Sequence, residues 1–147
     1  MSMHQLIYAS TATQPFSDDE LRALLAQARP RNQAAGLRGM LLYSKGLFLQ
    51  LLEGETAAVY ELYYGRIARD LRHRRLHVLA DGPLTDYTFP EWHMGFLHTT
   101  STSEVVLDGY LNPVETSFLA KHAPNASPVL RNLLHQFVHS QARARRQ

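Results

Sequence analysis

A glutamine interrupts an otherwise apolar run in the stretch FLQLLEGE, residues 48–55. Side chains alternate along a strand, so Phe48, Gln50 and Leu52 share one face while Leu49 and Leu51 take the other. The amide of Gln50 is therefore placed in a core, where a primary amide without partners costs roughly 1–3 kcal/mol. Something polar must meet it, either another side chain or a ligand. The stretch HQLIYAS puts Leu6, Tyr8 and Ser10 on one strand face, and the Tyr8 hydroxyl is the candidate. An amide offers both a donor and an acceptor end, so a phenol can satisfy it. The same pair is also what a satisfied polar contact in a core looks like.

Other chemistries fit the chain less well. It has no cysteine, which removes disulfides, thiolate metal sites and cysteine nucleophiles. Its eight histidines, His73 and His77 among them, lack a convergent set of carboxylates, so no metal site is expected. Neither a G-x-G-x-x-G run nor a phosphate-binding P-loop occurs. Arg38 and Asn32 could serve a small acylphosphatase-like hydrolase, but no phosphate-cradling loop accompanies them. Trp92 and Met94 fall on one face of a strand with His93 on the other, an arrangement that ordinary packing also produces.

The elements that must position these residues follow in order. After the first strand, FSDDELRALLAQARPRN opens with Ser17 and Glu20 in capping-box spacing, and Leu21, Leu24, Leu25 and Ala28 recur at helical intervals. LRGMLLYS and LFLQLLEG flank Lys-Gly as a hairpin. ETAAVYELYYGRIARDL reads as a second helix with Val59, Leu62, Tyr63 and Ile67 inward. Gly65 lies inside it at a cost of about 1 kcal/mol, with close packing as its only account. RLHVLAD and EWHMGFLH supply two more strands. The fold class is thus α+β, a ferredoxin-like βαββαββ chain with two helices over one sheet face. In that arrangement the first and third strands are neighbours, which brings Tyr8 to Gln50.

The segments LIYAS, FSDDEL, ARPRNQAAGLRGMLLYSKGLFLQLLEGE, RIARDLRH and FPEWHMGF together resemble the BLUF domain, the blue-light sensor that binds FAD, over residues 1–98. The resemblance implies roles for particular residues. Tyr8 corresponds to the donor of an electron and a proton to the excited flavin, and Gln50 to the amide that rotates or tautomerises and leaves the absorption shifted to the red. Asn32 corresponds to the residue at the N3/C4-carbonyl edge of the flavin and Arg72 to the arginine near its C2 carbonyl. Asp70 and His73 match companions of the ring and ribityl chain, and Trp92 and Met94 match the pair that reports the switch. The chain departs from the common pattern at Leu71, where proline is frequent, and at Arg38, where threonine often stands.

Beyond residue 98 the resemblance stops. NPVETSFLAKH and SPVLRNLLHQFVHS read as two helices, the second with Leu130, Leu133, Leu134, Phe137 and Val138 on one face, expected to cap the sheet surface opposite the flavin. Residues 99–147 are thus a C-terminal helical extension with the basic tail QARARRQ, which reads as a solvated terminus rather than a nucleic-acid surface. Those 49 residues leave no room for a cyclase, phosphodiesterase or DNA-binding effector. The expectation is therefore a sensor without enzymatic activity that acts on a separate protein partner or through homo-oligomers. No signal peptide or membrane span is apparent, so a cytoplasmic location is expected. The competing readings are the acylphosphatase-like hydrolase and a flavin-free interaction module.

Overall fold

The first helix forms because its ends are specified. In the computed structural model, which describes residues 2–44, 46–88, 93–98, 128 and 132, β1 (Met3–Ala12) leads into α1 (Asp18–Ala35). The Ser17 hydroxyl accepts from the Glu20 N–H at 3.1 Å and the Glu20 carboxylate accepts from the Ser17 N–H at 3.1 Å, so the expected capping box is present. Asp18, Asp19 and Glu20 in the first turn also complement the helix dipole. The helix runs through Pro30, whose ring nitrogen can give no hydrogen bond to the preceding turn. It stops at Gly36, where φ is +71° and a side chain would be strained. The N–H of Leu37 bonds the Asn32 carbonyl at 2.8 Å and that of Gly36 bonds the Gln33 carbonyl at 3.2 Å. Asn32 is thereby fixed in a closed last turn.

β2 (Arg38–Ser44) and β3 (Leu47–Glu55) follow, then α2 (Thr56–Gly65), a single 3₁₀ turn (Ile67–Arg69), β4 (His73–Leu84) and β5 (Gly95–His98). The sheet order is β4-β1-β3-β2-β5. β1 lies antiparallel between β3 and β4, and β2 pairs antiparallel with β3 and parallel with β5. This is the ferredoxin-like arrangement with one added strand. Tyr8 lies directly opposite Gln50 in the β1–β3 register. Leu6, Tyr8, Leu41, Phe48 and Leu52 form the sheet side of the core and meet Leu21, Leu25, Val59, Leu62 and Tyr63 from the helices. On the other sheet face Ile7, Met40, Leu42, Leu49 and Leu51 are buried as well. The expected C-terminal cap, and with it the division at residue 98, falls almost wholly outside the described residues.

β1, α1 and β4 run further than the sequence reading, β4 from His73 to Leu84 instead of over RLHVLAD, and two other boundaries bear on the site. The second helix ends at Gly65 instead of continuing through residue 71, because the backbone turns at Arg66 (φ −127°, ψ −56°) into the 3₁₀ turn. Gly65 therefore closes a helix, and a Cβ built there would meet nothing within 4 Å, so close packing does not explain it. The last strand begins at Gly95, which leaves Met94 in the bend before it rather than on a strand. Trp92 lies outside the described residues. Among the described residues no helix is long and apolar enough to cross a membrane.

Candidate functional site

Between α1, α2 and the sheet lies a cavity of about 300 Å³. Tyr8, Leu41, Phe48 and Gln50 form its floor, Leu24, Leu25 and Ala28 of α1 one wall, and Leu62 and Ile67 the other. Arg31, Arg66, Asp70 and Arg72 supply charge around this apolar slot. An apolar concavity with a few convergent polar groups is the usual form of a small-molecule site.

Three side chains form a buried chain at the floor. The Tyr8 hydroxyl donates to Gln50 Oε1 in a short hydrogen bond, and Gln50 Nε2 donates to Met94 Sδ at 3.4 Å. Burial pushes the Tyr8 phenol pKa well above its ordinary value, and Tyr63 and Asp70 add to the shift. Tyr8 thus stays a neutral donor. The two ends of the Gln50 amide are unequally held, since a thioether is a weak acceptor beside a phenolic donor. The arrangement couples a proton-bearing, oxidisable ring to an amide whose donor end is only weakly engaged.

Asn32 approaches from α1 with 1% of its surface exposed. Its Nδ2 donates to the His93 carbonyl at 2.6 Å, while its Oδ1 is buried with no hydrogen-bond partner. Buried acceptors are normally satisfied, so this oxygen fits the N–H of a ring held in the cavity. Arg31 Nε is likewise buried without a partner. Burial and the nearby Arg66 lower the Arg31 pKa, as expected for two cations facing a common space. Such a pair suits an anionic group.

Asp70 and Arg72 form a bidentate pair at 3.0 and 2.6 Å, and these hydrogen bonds hold the carboxyl below its usual range. His73 uses both ring nitrogens on the protein: Nε2 donates to the Ile67 carbonyl at 2.6 Å and Nδ1 meets Ser10 Oγ at 2.8 Å. Its ring ties β1, β4 and the 3₁₀ turn together at the edge of the cavity.

Of the residues singled out in the sequence, Tyr8, Asn32, Gln50, Asp70, Arg72, His73 and Met94 all line this one cavity. Arg38 does not; its guanidinium sits 3.7 Å over the Tyr87 ring, so the arginine–asparagine pairing of a hydrolase is not assembled. Among the described residues no three histidines or carboxylates converge to hold a metal. Sequence reasoning missed Phe16, Arg31 and Arg66. For Arg31 a signal existed, because Leu24, Ala28 and Arg31 recur at i, i+4 and i+7 on one helix face.

The model of the family described as BLUF, sensors of blue-light using FAD, matches residues 3–95. Photoactivated adenylate cyclase subunit alpha of Euglena gracilis is 37% identical over 98 residues, which is 65% of this chain and 10% of that protein. This chain therefore spans about a tenth of that relative's length. The structure of Klebsiella pneumoniae BlrP1 with FMN and cyclic diGMP superposes with a TM-score of 0.72 at 27% identity, over 93% of this chain and 34% of that one. BlrB, described as a BLUF protein in its dark state, superposes with a TM-score of 0.66 over 95% of this chain and 97% of that one, and at 23% identity it speaks to the fold alone. With the family matched across 93 of 147 residues, all seven of the residues named above included, the chain belongs to the BLUF family of flavin-binding blue-light sensors.

Proposed function

We propose that this chain is a blue-light photoreceptor that holds FAD non-covalently in the cavity between α1 and α2 and signals to a separate protein in the cytoplasm, alone or as a homo-oligomer. The observation that carries the reading is the buried chain from the Tyr8 hydroxyl through the Gln50 amide to Met94 Sδ, set in the floor of that cavity. The orphaned Asn32 Oδ1 supports a heterocycle with an N–H at its edge. Arg31 and Arg66 suit the phosphate groups of a flavin nucleotide, and Asp70, Arg72 and His73 flank the ring and its ribityl chain.

Bound there, a flavin supplies a ring that absorbs blue light and accepts an electron when excited. Tyr8 gives up an electron, and its phenolic proton moves along the existing hydrogen bond to Gln50 Oε1. When Tyr8 recovers both, Gln50 is left rotated or tautomerised with a donor directed into the cavity. That change withdraws the Gln50 N–H from Met94, whose backbone leads into β5. No cysteine exists to form an adduct, so the photoproduct is non-covalent.

The test is direct. The purified protein should be yellow, release its flavin on denaturation, and show a red shift under blue light that reverses in the dark. Mass spectrometry of the released flavin separates FAD from FMN. A colourless protein that binds neither flavin, or one with an unshifted spectrum under blue light, overturns the reading.

A further inference from the structure

Oxidisable rings continue away from the cavity floor, and the light reaction described above does not use them. The Tyr63 ring centroid lies 5.1 Å from that of Tyr8, the Tyr64 centroid 4.8 Å from Tyr63, and the Tyr60 centroid 5.7 Å from Tyr64. The path leads outward: Tyr8 and Tyr63 are each 3% exposed and Tyr64 is 53% exposed. It ends in a built polar cluster. The Tyr60 hydroxyl donates to Asp81 Oδ1 at 2.9 Å, His4 Nε2 bonds the same oxygen, and the His4 ring lies 5.0 Å from the Tyr60 ring. Helix geometry accounts for the outer pair, since Tyr60 and Tyr64 are spaced i, i+4 on α2.

We propose that Tyr63, Tyr64 and Tyr60 form a relay that carries oxidation from Tyr8 to the protein surface, with Asp81 and His4 taking the proton at its end. The proposal rests on the flavin reading only for the oxidant. A one-electron oxidant in the cavity, the light-excited flavin, removes an electron from Tyr8, whose proton passes to Gln50 Oε1. An electron from Tyr64 crosses the Tyr63 ring and restores Tyr8, which takes its proton back from Gln50, while the exposed Tyr64 releases its own proton to water. Tyr60 then reduces Tyr64, which regains a proton from water, and the Tyr60 hydroxyl proton goes to Asp81. In net terms Tyr60 has lost one electron and one proton, the cavity oxidant has gained the electron and the Asp81–His4 pair holds the proton. An external one-electron donor such as a thiolate or ascorbate returns Tyr60 to its resting state.

Proton affinity gives the relay its direction. A phenol is oxidised more easily when its proton has a strong base to move to, and a carboxylate is a far stronger base than an amide oxygen. Oxidation starting at Tyr8, whose acceptor is Gln50, therefore runs downhill to Tyr60, whose acceptor is Asp81. The consequence is a second output, in which light draws an electron from an external reductant through the surface of α2 and leaves it on the cavity oxidant, and the output stops once that oxidant is reduced.

Two arms test this. In the first, flavin-loaded protein is held under blue light with a nitroso spin trap, and the adducts are mapped by peptide mass spectrometry. Adducts are expected on Tyr64 and Tyr60 in light and not in darkness. They are lost at both sites in Tyr8→Phe and at Tyr60 in Tyr64→Phe. A protein that shows the red shift but carries no light-dependent adduct at Tyr64 or Tyr60 overturns the relay. The second arm needs no flavin: flash-quench oxidation with tris(bipyridine)ruthenium in solution generates a radical at the exposed Tyr64, followed by electron paramagnetic resonance. The radical should settle on Tyr60 in the parent and remain on Tyr64 in Tyr60→Phe and Asp81→Asn. Identical spectra and lifetimes in all three overturn the relay. If the parent lacks the red shift, the flavin reading falls and the flash-quench arm alone decides.

Discussion

Replacing Asn32 by Ala separates a ligand-binding role from a structural one. In the flavin-free protein Nδ2 donates to the His93 carbonyl at 2.6 Å, and Oδ1 is buried without a partner. Removing the first contact costs about 0.5–1.5 kcal/mol, whereas removing an orphaned buried acceptor relieves a penalty of about 1–3 kcal/mol. The two effects oppose each other, so the flavin-free protein should fall between about 0.5 kcal/mol less stable and about 2.5 kcal/mol more stable. Binding behaves differently. Because Oδ1 is already withdrawn from water, the bond it makes to a ligand is not offset by its own desolvation. Its loss should weaken flavin affinity by about 1–3 kcal/mol, roughly 5- to 150-fold in Kd. Urea denaturation of flavin-free protein and a flavin-fluorescence titration measure the two quantities. A variant destabilised by more than about 3 kcal/mol with an unchanged Kd would refute the reasoning and make Asn32 a clamp on residue 93 only.

Tyr8→Phe and Gln50→Leu should each bind flavin and lose the lasting red shift; an unaltered photocycle in either, read by absorption, excludes the pair as the photoactive unit. Met94→Ala should keep the red shift yet lose any light-dependent change in hydrogen exchange over residues 95–98 and 104–140. Equal exchange in the dark and lit parent would remove the basis for a relay through Met94. Ser17→Ala opens the capping box and should cost about 0.5–2 kcal/mol in urea denaturation, with flavin affinity unchanged. The folded-state pKa of Asp70 is depressed by its bonds to Arg72, so its contribution to stability is present above the unfolded value of about 3.9 and is lost as pH falls through the lower folded value. The stability gap between parent and Asp70→Asn should accordingly close on acidification, and a gap that persists in strong acid contradicts the pairing.

The Tyr8–Gln50 contact was legible because two simple rules converge on it. A period of two places both side chains inward, and the split βαβ topology makes their strands neighbours, so only the register remained to be found. The Ser17–Glu20 cap was equally plain, since a helix start is written in adjacent residues. Long-range features were less so. The sequence does not show that Arg31 and Arg66 meet; α1 and the turn after α2, on opposite sides of the cavity, bring them to one space. Gly65 reads as a helix interior because the apolar spacing continues to Ile67, although the 3₁₀ turn keeps Ile67 packed against the core. The start of β5 is hidden for a related reason: Met94 faces Gln50 from a bend, so its inward placement does not report a strand.

That bend is held in a way that favours transmission over disruption. From α1, Arg29 Nε donates to the Met94 carbonyl at 3.1 Å and Asn32 donates to the preceding carbonyl, while His93 Nδ1 bonds the Leu37 carbonyl at 3.1 Å. Two hydrogen bonds therefore fix the backbone of residues 93–94 against α1, and the His93 side chain ties the bend to Leu37, the residue before β2. The side chain of Met94 meets Gln50 through one weak N–H···S contact. Under the proposed photocycle, a rearranged Gln50 would break the weak bond first and leave the backbone clamp in place, and the thioether would take a new position while β5 stays paired with β2. A switch needs two states close in energy, and a strong bond at this position would have locked one of them. In the proposed photocycle, the weak Gln50–Met94 contact is the one through which a change at the cavity floor would reach the residue that leads into β5.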